Sequence, residues 1–193
     1  MSWLSDYRED VRRCTNYSRG SGFTQLLLQQ GLWALLQYRI AAAVYNGRLP
    51  SRLKKFVLLA FWPWQKIIEV STGISLPYSA VVGPGLFIAH FGNVIVNSRA
   101  VLGRGCNLSP GVTIGISGRG ERRGVPVIGD RVYFGVNSVV VGPIKVGNDV
   151  VIGANSLVHI DVPSNCTMLG VPAVIINNRG SQEYIDADPY LRR

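Results

Sequence analysis

Residues 76–112 read LPYSAVVGPGLFIAHFGNVIVNSRAVLGRGCNLSPGV, and this stretch decides the fold. Every sixth residue in it is apolar, and the same period resumes at residue 128. A six-residue unit holds one short strand and one turn, so three units form one coil of a parallel β-helix. Helical crossovers between parallel strands need about a dozen residues, and this spacing has no room for them. The periodic positions, predicted to point inward, are Leu76, Val82, Ile88, Val94, Ala100, Cys106, Val112, Ile128, Phe134, Val140, Val146, Ile152 and Val158.

The periodic pattern divides the chain into three parts. Residues 1–72 have apolar residues at three and four spacing, which predicts an α-helical N-terminal region. Residues 73–176 are the predicted β-helix, with a glycine- and arginine-rich excursion loop at 115–126 where the period lapses. Residues 177–193 form a polar C-terminal tail. The predicted fold is therefore mainly β, a β-helix of hexapeptide repeats preceded by a small α-helical region.

The N-terminal region contains three helical patterns, at 2–19, 23–45 and 51–70, the last interrupted or kinked at Pro63. Tryptophans flank that proline, and basic residues flank the apolar stretch within 48–70. Such a segment can lie on an anionic bilayer surface as a peripheral membrane anchor. Its aromatic residues can equally pack on the first coil or on a neighbouring chain of a trimer, if the protein forms one, since an end coil needs an apolar cover. The sequence leaves both interpretations open.

The composition excludes several classes of protein. The chain of 193 residues has a net charge of +9, with ten Lys/Arg against four Asp/Glu in 1–72 and ten against seven in 73–193. The basic residues are dispersed and lack a nucleic-acid-binding signature, so we expect no nucleic-acid partner. Three scattered cysteines indicate neither a disulfide framework nor a metal site, and no secretory signal is visible. We expect a cytoplasmic protein. It would lie at the inner face of the membrane if the basic segment binds lipid.

Two histidines are the candidates for a general base at neutral pH. His90 comes two positions after the inward Ile88, so it should lie at a corner and point away from the coil. Its unit lies on the side of the coil that leads to the excursion loop. His159 directly follows the inward Val158 on the last coil. A base at His90 could deprotonate a hydroxyl bound in a groove along the coils.

Several short segments of the periodic part occur in a familiar order: GLFIAH at 85–90, VIV at 94–96, PGVTIG at 110–115, VIGDRVYFG at 127–135, DVP at 161–163 and GVPA at 170–173. On these segments, residues 74–176, about half the chain, resemble the hexapeptide-repeat acyltransferases, and among them the serine acetyltransferase-like branch. The resemblance implies a left-handed β-helix. It also implies a homotrimer with active sites between subunits, and acetyl transfer from acetyl-CoA to a hydroxyl without a metal ion.

The resemblance assigns His90 the role of general base. The acceptor would lie near Ser75, Asn93 and Asn97. The acetyl-CoA arm would lie beside the excursion loop, close to backbone where glycine has no side chain. The predicted cofactor-binding residues are Gly115, Ser117, Arg123, Gly135, Gly153 and Arg179, with Arg119 and Arg122 as alternative partners of the CoA phosphates.

Three positions depart from the serine acetyltransferase pattern. The aspartate before the base is Ala89, the aspartate fifteen residues before the base is Ser75, and the loop histidine before the proline is Val125. We therefore expect free serine to be a poor acceptor. The compact helical region and the segment GVPVIGD at 124–130 resemble the short sugar O-acetyltransferases of polysaccharide pathways, and this resemblance implies a sugar O-acetyltransferase. Its acceptor would be a sugar or glycan hydroxyl in surface polysaccharide biosynthesis. The alternatives are a serine O-acetyltransferase of cysteine biosynthesis and a non-catalytic β-helix scaffold subunit.

Overall fold

A computed structural model describes residues 2–17 and 22–185, and four of its α-helices precede the first strand. The helical pattern predicted over 23–45 is interrupted at Gln29, whose backbone is extended (φ −98°, ψ 103°). Pro63 lies inside the last long helix without ending it. The predicted tail lies outside the described residues from position 186 onward. The helices are α1 Trp3–Tyr17, α2 Gly22–Leu28, α3 Gln30–Asn46, α4 Ser51–Thr72 and α5 Gln182–Ile185, with a 3₁₀ turn at Gly120–Arg122.

Fifteen short strands occupy the described residues after α4, and most contain only two or three residues. Helices α1 to α4 together contain more residues than these strands, because about half of each six-residue unit is turn. The expectation of a mainly β chain therefore holds for the periodic part alone. The strands are β1 Ile74–Ser75, β2 Val81–Val82, β3 Phe87–Ile88, β4 Val94–Val96, β5 Val101–Leu102, β6 Asn107–Leu108, β7 Thr113–Gly115, β8 Val127–Ile128, β9 Tyr133–Phe134, β10 Val139–Val141, β11 Lys145–Val146, β12 Val151–Ile152, β13 Leu157–Val158, β14 Thr167–Gly170 and β15 Ala173–Asn177.

The strands stack into the three faces of a parallel β-helix. Face A has the order β1-β4-β7-β10-β13, face B the order β2-β5-β8-β11, and face C the order β3-β6-β9-β12-β14. Strand β15 turns back and pairs antiparallel with β14. All thirteen periodic positions are buried, none with more than 7% of its surface exposed. The predicted coil of hexapeptide units is confirmed, and its core is a stack of inward side chains.

The helices cover the open end of the first coil through a buried ion pair. Arg39 on α3 donates to both carboxylate oxygens of Asp10 on α1, from Nε at 2.9 Å and from Nη2 at 3.0 Å. The same guanidinium donates to the carbonyl oxygens of Val82 and Gly83 at 2.7 Å. Asp10 also accepts a hydrogen bond from the Leu86 amide at 3.0 Å. The pair thus joins two helices to the first coil, and it is almost completely buried (0% and 4% exposed).

The Asp10→Ala variant should test this connection. Removal of the carboxylate leaves the Arg39 charge buried without its partner, so the free energy of unfolding should fall by about 3–5 kcal/mol. Urea unfolding followed by circular dichroism measures the change. Glu9→Ala is the matched control, because Glu9 meets Arg12 only at 3.9 Å on the surface and should change the same quantity by at most about 1 kcal/mol. Equal effects of the two variants would contradict the assignment.

Candidate active site

His90 lies at the corner between faces C and A, after β3 and before β4. Its side chain is exposed, as the sequence predicts. Within the part of the chain that the structure describes, its ring makes no hydrogen bond and no ion pair. Both ring nitrogens therefore remain available to a substrate and to an orienting group, as a general base requires.

The backbone beside His90 is held by the end of α4. The Gly92 amide donates to the Thr72 carbonyl at 2.8 Å, and the Val94 amide donates to the Gly73 carbonyl at 3.0 Å. Gly73 ends the helix in the left-handed conformation, with φ +68°. A Cβ at this position would lie only 2.9 Å from the Asn93 amide nitrogen. The corner that presents the base is thus built directly on the helical region.

A column of small residues rises from this corner through the coils. Successive amides bond to the coil above: Ala89 to Leu108, Ser109 to Phe134, Gly135 to Ile152 and Gly153 to Met168. Ala89, Ser109, Gly135 and Gly153 therefore occupy equivalent places, and two predicted cofactor-binding glycines stand in line with the base. The structure gives one of these glycines another reason to be glycine. A Cβ at Gly135 would lie 2.6 Å from the Ala154 amide nitrogen, so the next coil itself requires its small size.

A second group of predicted residues lies at the corner between faces A and B. The pairing of Val96 with Ile114 places Asn97 beside Gly115. Ser117 and Gly124 exchange two backbone hydrogen bonds at 3.1 and 3.0 Å, which close the base of the excursion loop. The loop carries Arg123, whose side chain is exposed. Strand β4 separates this group from His90 by about 10 Å, at 3.3 Å per residue, so one chain does not bring the two groups together.

Two further predicted residues lie outside the excursion-loop group. Asn93 is in the His90 corner itself, with a left-handed backbone (φ +44°) and an exposed side chain. Arg179 follows β15, and its carbonyl accepts a hydrogen bond from Thr167 Oγ1 at 2.9 Å while its side chain is exposed. The roles of Asn93, Asn97 and Arg179 therefore stay predictions. His159 is exposed on the last coil and has no part in the His90 corner.

Ser75 has a partner that the sequence did not reveal. Its Oγ donates to Glu69 Oε1 at 3.3 Å, and Glu69 lies on the last turns of α4. Gln65 Nε2 donates to the same carboxylate at 2.9 Å, and Lys66 Nζ lies 2.6 Å from Oε2. Burial acts to raise the pKa of Glu69, but the Lys66 ammonium and the hydrogen bonds from Gln65 and Ser75 outweigh it and lower the pKa. Glu69 is therefore ionised at neutral pH.

Other reactive groups do not form a competing site. Among the described residues, no cluster of three His, Cys, Asp or Glu side chains could hold a metal ion. The side chains of Cys14, Cys106 and Cys166 are buried. Burial raises the pKa of Cys106 to about 11, so this thiol stays protonated and serves as a core side chain.

Comparison with known proteins agrees with this fold. The family model "Bacterial transferase hexapeptide (six repeats)" matches residues 126–159. The chain is 36% identical over 151 residues to the serine acetyltransferase of Helicobacter pylori, covering 78% of this chain and 84% of that protein. It is 33% identical over 160 residues to that of Synechococcus elongatus, covering 83% of this chain and 62% of that protein. The match thus spans less than two thirds of the Synechococcus protein.

Solved structures show the same likeness. The serine acetyltransferase of Neisseria gonorrhoeae superposes with a TM-score of 0.77 and 29% identity, covering 92% of this chain and 68% of that one. The same enzyme in complex with serine gives a TM-score of 0.75, covering 91% and 69%. The coil and its exposed corner histidine define a hexapeptide-repeat acyltransferase, an enzyme class that uses acetyl-CoA. This chain belongs to the serine acetyltransferase family.

The expectation of a sugar or glycan acceptor in surface polysaccharide biosynthesis is wrong. The relatives on both comparisons are serine acetyltransferases, which supports the alternative reading of the sequence. The expectation depended in part on the absence of acidic residues at positions 75 and 89. The structure shows that a carboxylate nevertheless contacts position 75, because Glu69 reaches Ser75 from the helix.

The hydrogen bonds that tie the His90 corner to the end of α4 predict unequal effects of alanine at two glycines. Gly73 and Gly120 both have positive φ, at +68° and +55°, so alanine costs backbone strain of about 1–2 kcal/mol at each. Only at Gly73 would the new Cβ also press on the Asn93 amide, since Gly120 has open space around it. Urea unfolding should therefore show a larger loss of stability for Gly73→Ala than for Gly120→Ala. A loss of stability at Gly73 no larger than at Gly120 would mean that the Asn93 backbone moves to accommodate the new Cβ at no cost in free energy.

Proposed function

We propose that this chain transfers the acetyl group of acetyl-CoA to the hydroxyl of L-serine, giving O-acetylserine and free CoA. The observation that carries the proposal is the exposed His90, held at a fixed corner in a member of the serine acetyltransferase family. A related enzyme of that family has been solved in complex with serine. The ionised carboxylate of Glu69, which Lys66 and Ser75 contact, belongs to the helix that ends at this corner, and its oxygens could accept hydrogen bonds from an acceptor's ammonium group.

In this reaction, His90 accepts the proton of the serine hydroxyl as its oxygen attacks the thioester carbonyl. Acetyl-CoA supplies the activated acetyl group and, when the carbon–sulfur bond breaks, a thiolate as leaving group. His90 then returns the proton to the sulfur, so the base is regenerated and no other proton donor is needed. The backbone bonds from Gly92 and Val94 to α4 keep the ring's corner in place through both steps.

We further propose that three chains with left-handed coils assemble side by side and share each active site. Within one chain, β4 separates His90 from the excursion loop, so a groove between neighbours would bring one chain's base to another chain's loop. Outward residues on faces A and B support such packing, since Ile95, Val81 and Val127 are apolar and 47–59% exposed. Apolar residues in that position favour burial against another chain.

The two histidines provide a matched pair of variants for the activity. His90→Ala should lower kcat/KM for acetyl-CoA and L-serine by at least about 100-fold, because general base catalysis contributes about 10²–10⁴. His159→Ala removes the other exposed imidazole and should leave kcat/KM unchanged. The release of CoA thiol, followed with a chromogenic disulfide, measures both.

A panel of acceptors decides the substrate. L-Serine should exceed L-threonine, nucleotide sugars and glycans in kcat/KM. A higher value for any of these would show that the substrate assignment is wrong. Binding of acetyl-CoA without turnover of any acceptor would favour the non-catalytic scaffold subunit.

We also propose that α4 docks the enzyme on an anionic lipid surface at the cytoplasmic face of a membrane. One side of α4 packs on α3, and the opposite side carries apolar residues at helical spacing. No helix among the described residues combines the length and apolar character needed to span a bilayer, so contact would be peripheral. The residues of this outer face are Phe56, Leu59, Ile67 and Val70, with 64–86% of their surface exposed, and Trp62 at its edge with 56%.

Charge favours a lipid surface over a second copy of the chain as the occupant. Residues 48–72 contain five Lys/Arg and a single acid, Glu69. Two copies packed through this face would bring like charges together, whereas anionic headgroups would complement them. Exposed aromatic and aliphatic residues beside lysine and arginine are typical of helices that lie in the interface of a bilayer.

Vesicle sedimentation tests the docking face. The wild-type protein should pellet with vesicles containing phosphatidylglycerol and much less with phosphatidylcholine alone. Phe56→Ser with Ile67→Ser should abolish pelleting, because the double variant replaces two apolar side chains of the docking face with polar ones. Leu27→Ser with Leu28→Ser is the control, since these residues are 58% and 64% exposed on α2, and it should pellet like the wild type.

Two results would overturn the docking proposal. One is a wild-type protein that stays in the supernatant with anionic vesicles. The other is a Phe56/Ile67 double variant whose oligomer mass falls in light scattering while its pelleting is unchanged, which would assign the face to a second copy.

A further inference from the structure

A histidine base works best when its second ring nitrogen is held by an acceptor, because that bond fixes the tautomer and orients the ring. Two carboxylates bond to the first coil, one to the Leu86 amide and the other to the Ser75 hydroxyl. Asp10 binds the Leu86 amide before β3, but it is fully buried and saturated by Arg39. Glu69 is the other, and its side chain is 17% exposed on the side of α4 that faces β1.

Glu69 is built into the same junction that holds the base. Its carbonyl accepts the Gly73 amide at 2.9 Å, and the carbonyls of Thr72 and Gly73 at the end of the same helix accept the amides of Gly92 and Val94. Strand β1 then pairs with β4, with Ser75 beside Ile95. Ser75 and Ile95 alternate with buried neighbours, so both side chains point outward on face A. The carboxylate and the serine hydroxyl thus meet on face A, the face that begins at the His90 corner.

We propose that Glu69, acting through Ser75, is the positioning carboxylate for His90. The inference rests on the proposed function of His90 as base. The Ser75 hydroxyl donates its proton to Glu69 and retains lone pairs that can accept the N–H of the His90 ring. The other ring nitrogen is then bare and faces the substrate hydroxyl. The contact between ring and hydroxyl forms in the Michaelis complex, where catalytic hydrogen bonds tighten.

The network around Glu69 suits this role. Lys66 and Gln65 bind the carboxylate from the helix side, so it stays ionised and fixed, while Ser75 meets it from the strand side. An ionised carboxylate that polarises the serine hydroxyl strengthens that hydroxyl as an acceptor. It would also stabilise the imidazolium that forms when His90 takes the substrate proton.

The Glu69→Gln variant keeps the shape and removes the charge. In the assembled enzyme, kcat for L-serine should fall by about 10- to 100-fold, with KM for acetyl-CoA unchanged. The acid limb of the kcat/KM profile should move to lower pH, because a nearby negative charge raises the pKa of an imidazole and its loss lowers it. Glu9→Gln is the matched control on α1, and it should change neither kcat nor the profile.

A rescue variant separates positioning from a structural role. Ser75→Asp in the Glu69→Gln background returns a carboxylate to the strand beside the corner, so both the pH profile and much of kcat should recover. A Glu69 that only stabilised the end of α4 would not be replaced by a carboxylate on β1. Wild-type kcat and an unchanged profile in Glu69→Gln, with His90→Ala inactive, would overturn the inference and leave the proposed function standing.

A measurement without turnover keeps the two proposals distinguishable. In the complex with CoA and L-serine, which cannot turn over, the imidazole C–H signals of His90 should differ in NMR chemical shift between Glu69→Gln and the wild type. The signals of His159 serve as the internal reference and should be the same in both proteins. Identical His90 signals in this complex would overturn the role of Glu69.

Discussion

Each inward side chain of this protein must fit onto the one in the coil below it, and the rest of the structure depends on that stacking. On face A, Val96, Ile114, Val140 and Val158 lie in register and are at most 2% exposed. A shift of one residue would turn every such side chain outward, so the six-residue period cannot drift. The stacking also fixes where the corners fall, and the corners carry the glycines, the excursion loop and the candidate base.

The candidate active site is a product of two parts of the fold. The coil supplies the corner, and the end of α4 holds it through Thr72 and Gly73. The buried pair of Asp10 and Arg39 keeps the helices on the coil, with Gly31 of α3 packed so closely on Ile88 that a Cβ would lie 2.5 Å from its carbonyl oxygen. The helical region is therefore a structural component of the His90 corner as well as a cover for the first coil.

The expectation of a sugar acceptor was wrong for a physical reason. Reading Ser75 and Ala89 position by position suggested that the acidic surroundings of the base were lost. A site, however, is defined by which groups meet in space, and a longer side chain on a neighbouring helix can supply the charge that a strand lacks. Glu69 could be noticed in the sequence only as part of a helical group with Gln65 and Lys66. Its contact with Ser75 depends on how α4 enters the coil.

The amino-acid sequence by itself determined the coil, because a period of six is a local, repeating property that needs no knowledge of distant contacts. It placed thirteen side chains in the core and put His90 at an exposed corner. The tertiary structure alone decided the break in the helices at Gln29, the exposed outer face of α4 and the separation of His90 from the excursion loop. It also showed that Gly135 is small for the sake of the next coil and that Glu69 reaches Ser75. These features depend on contacts between elements that are packed in three dimensions, and no pattern along one segment specifies such contacts.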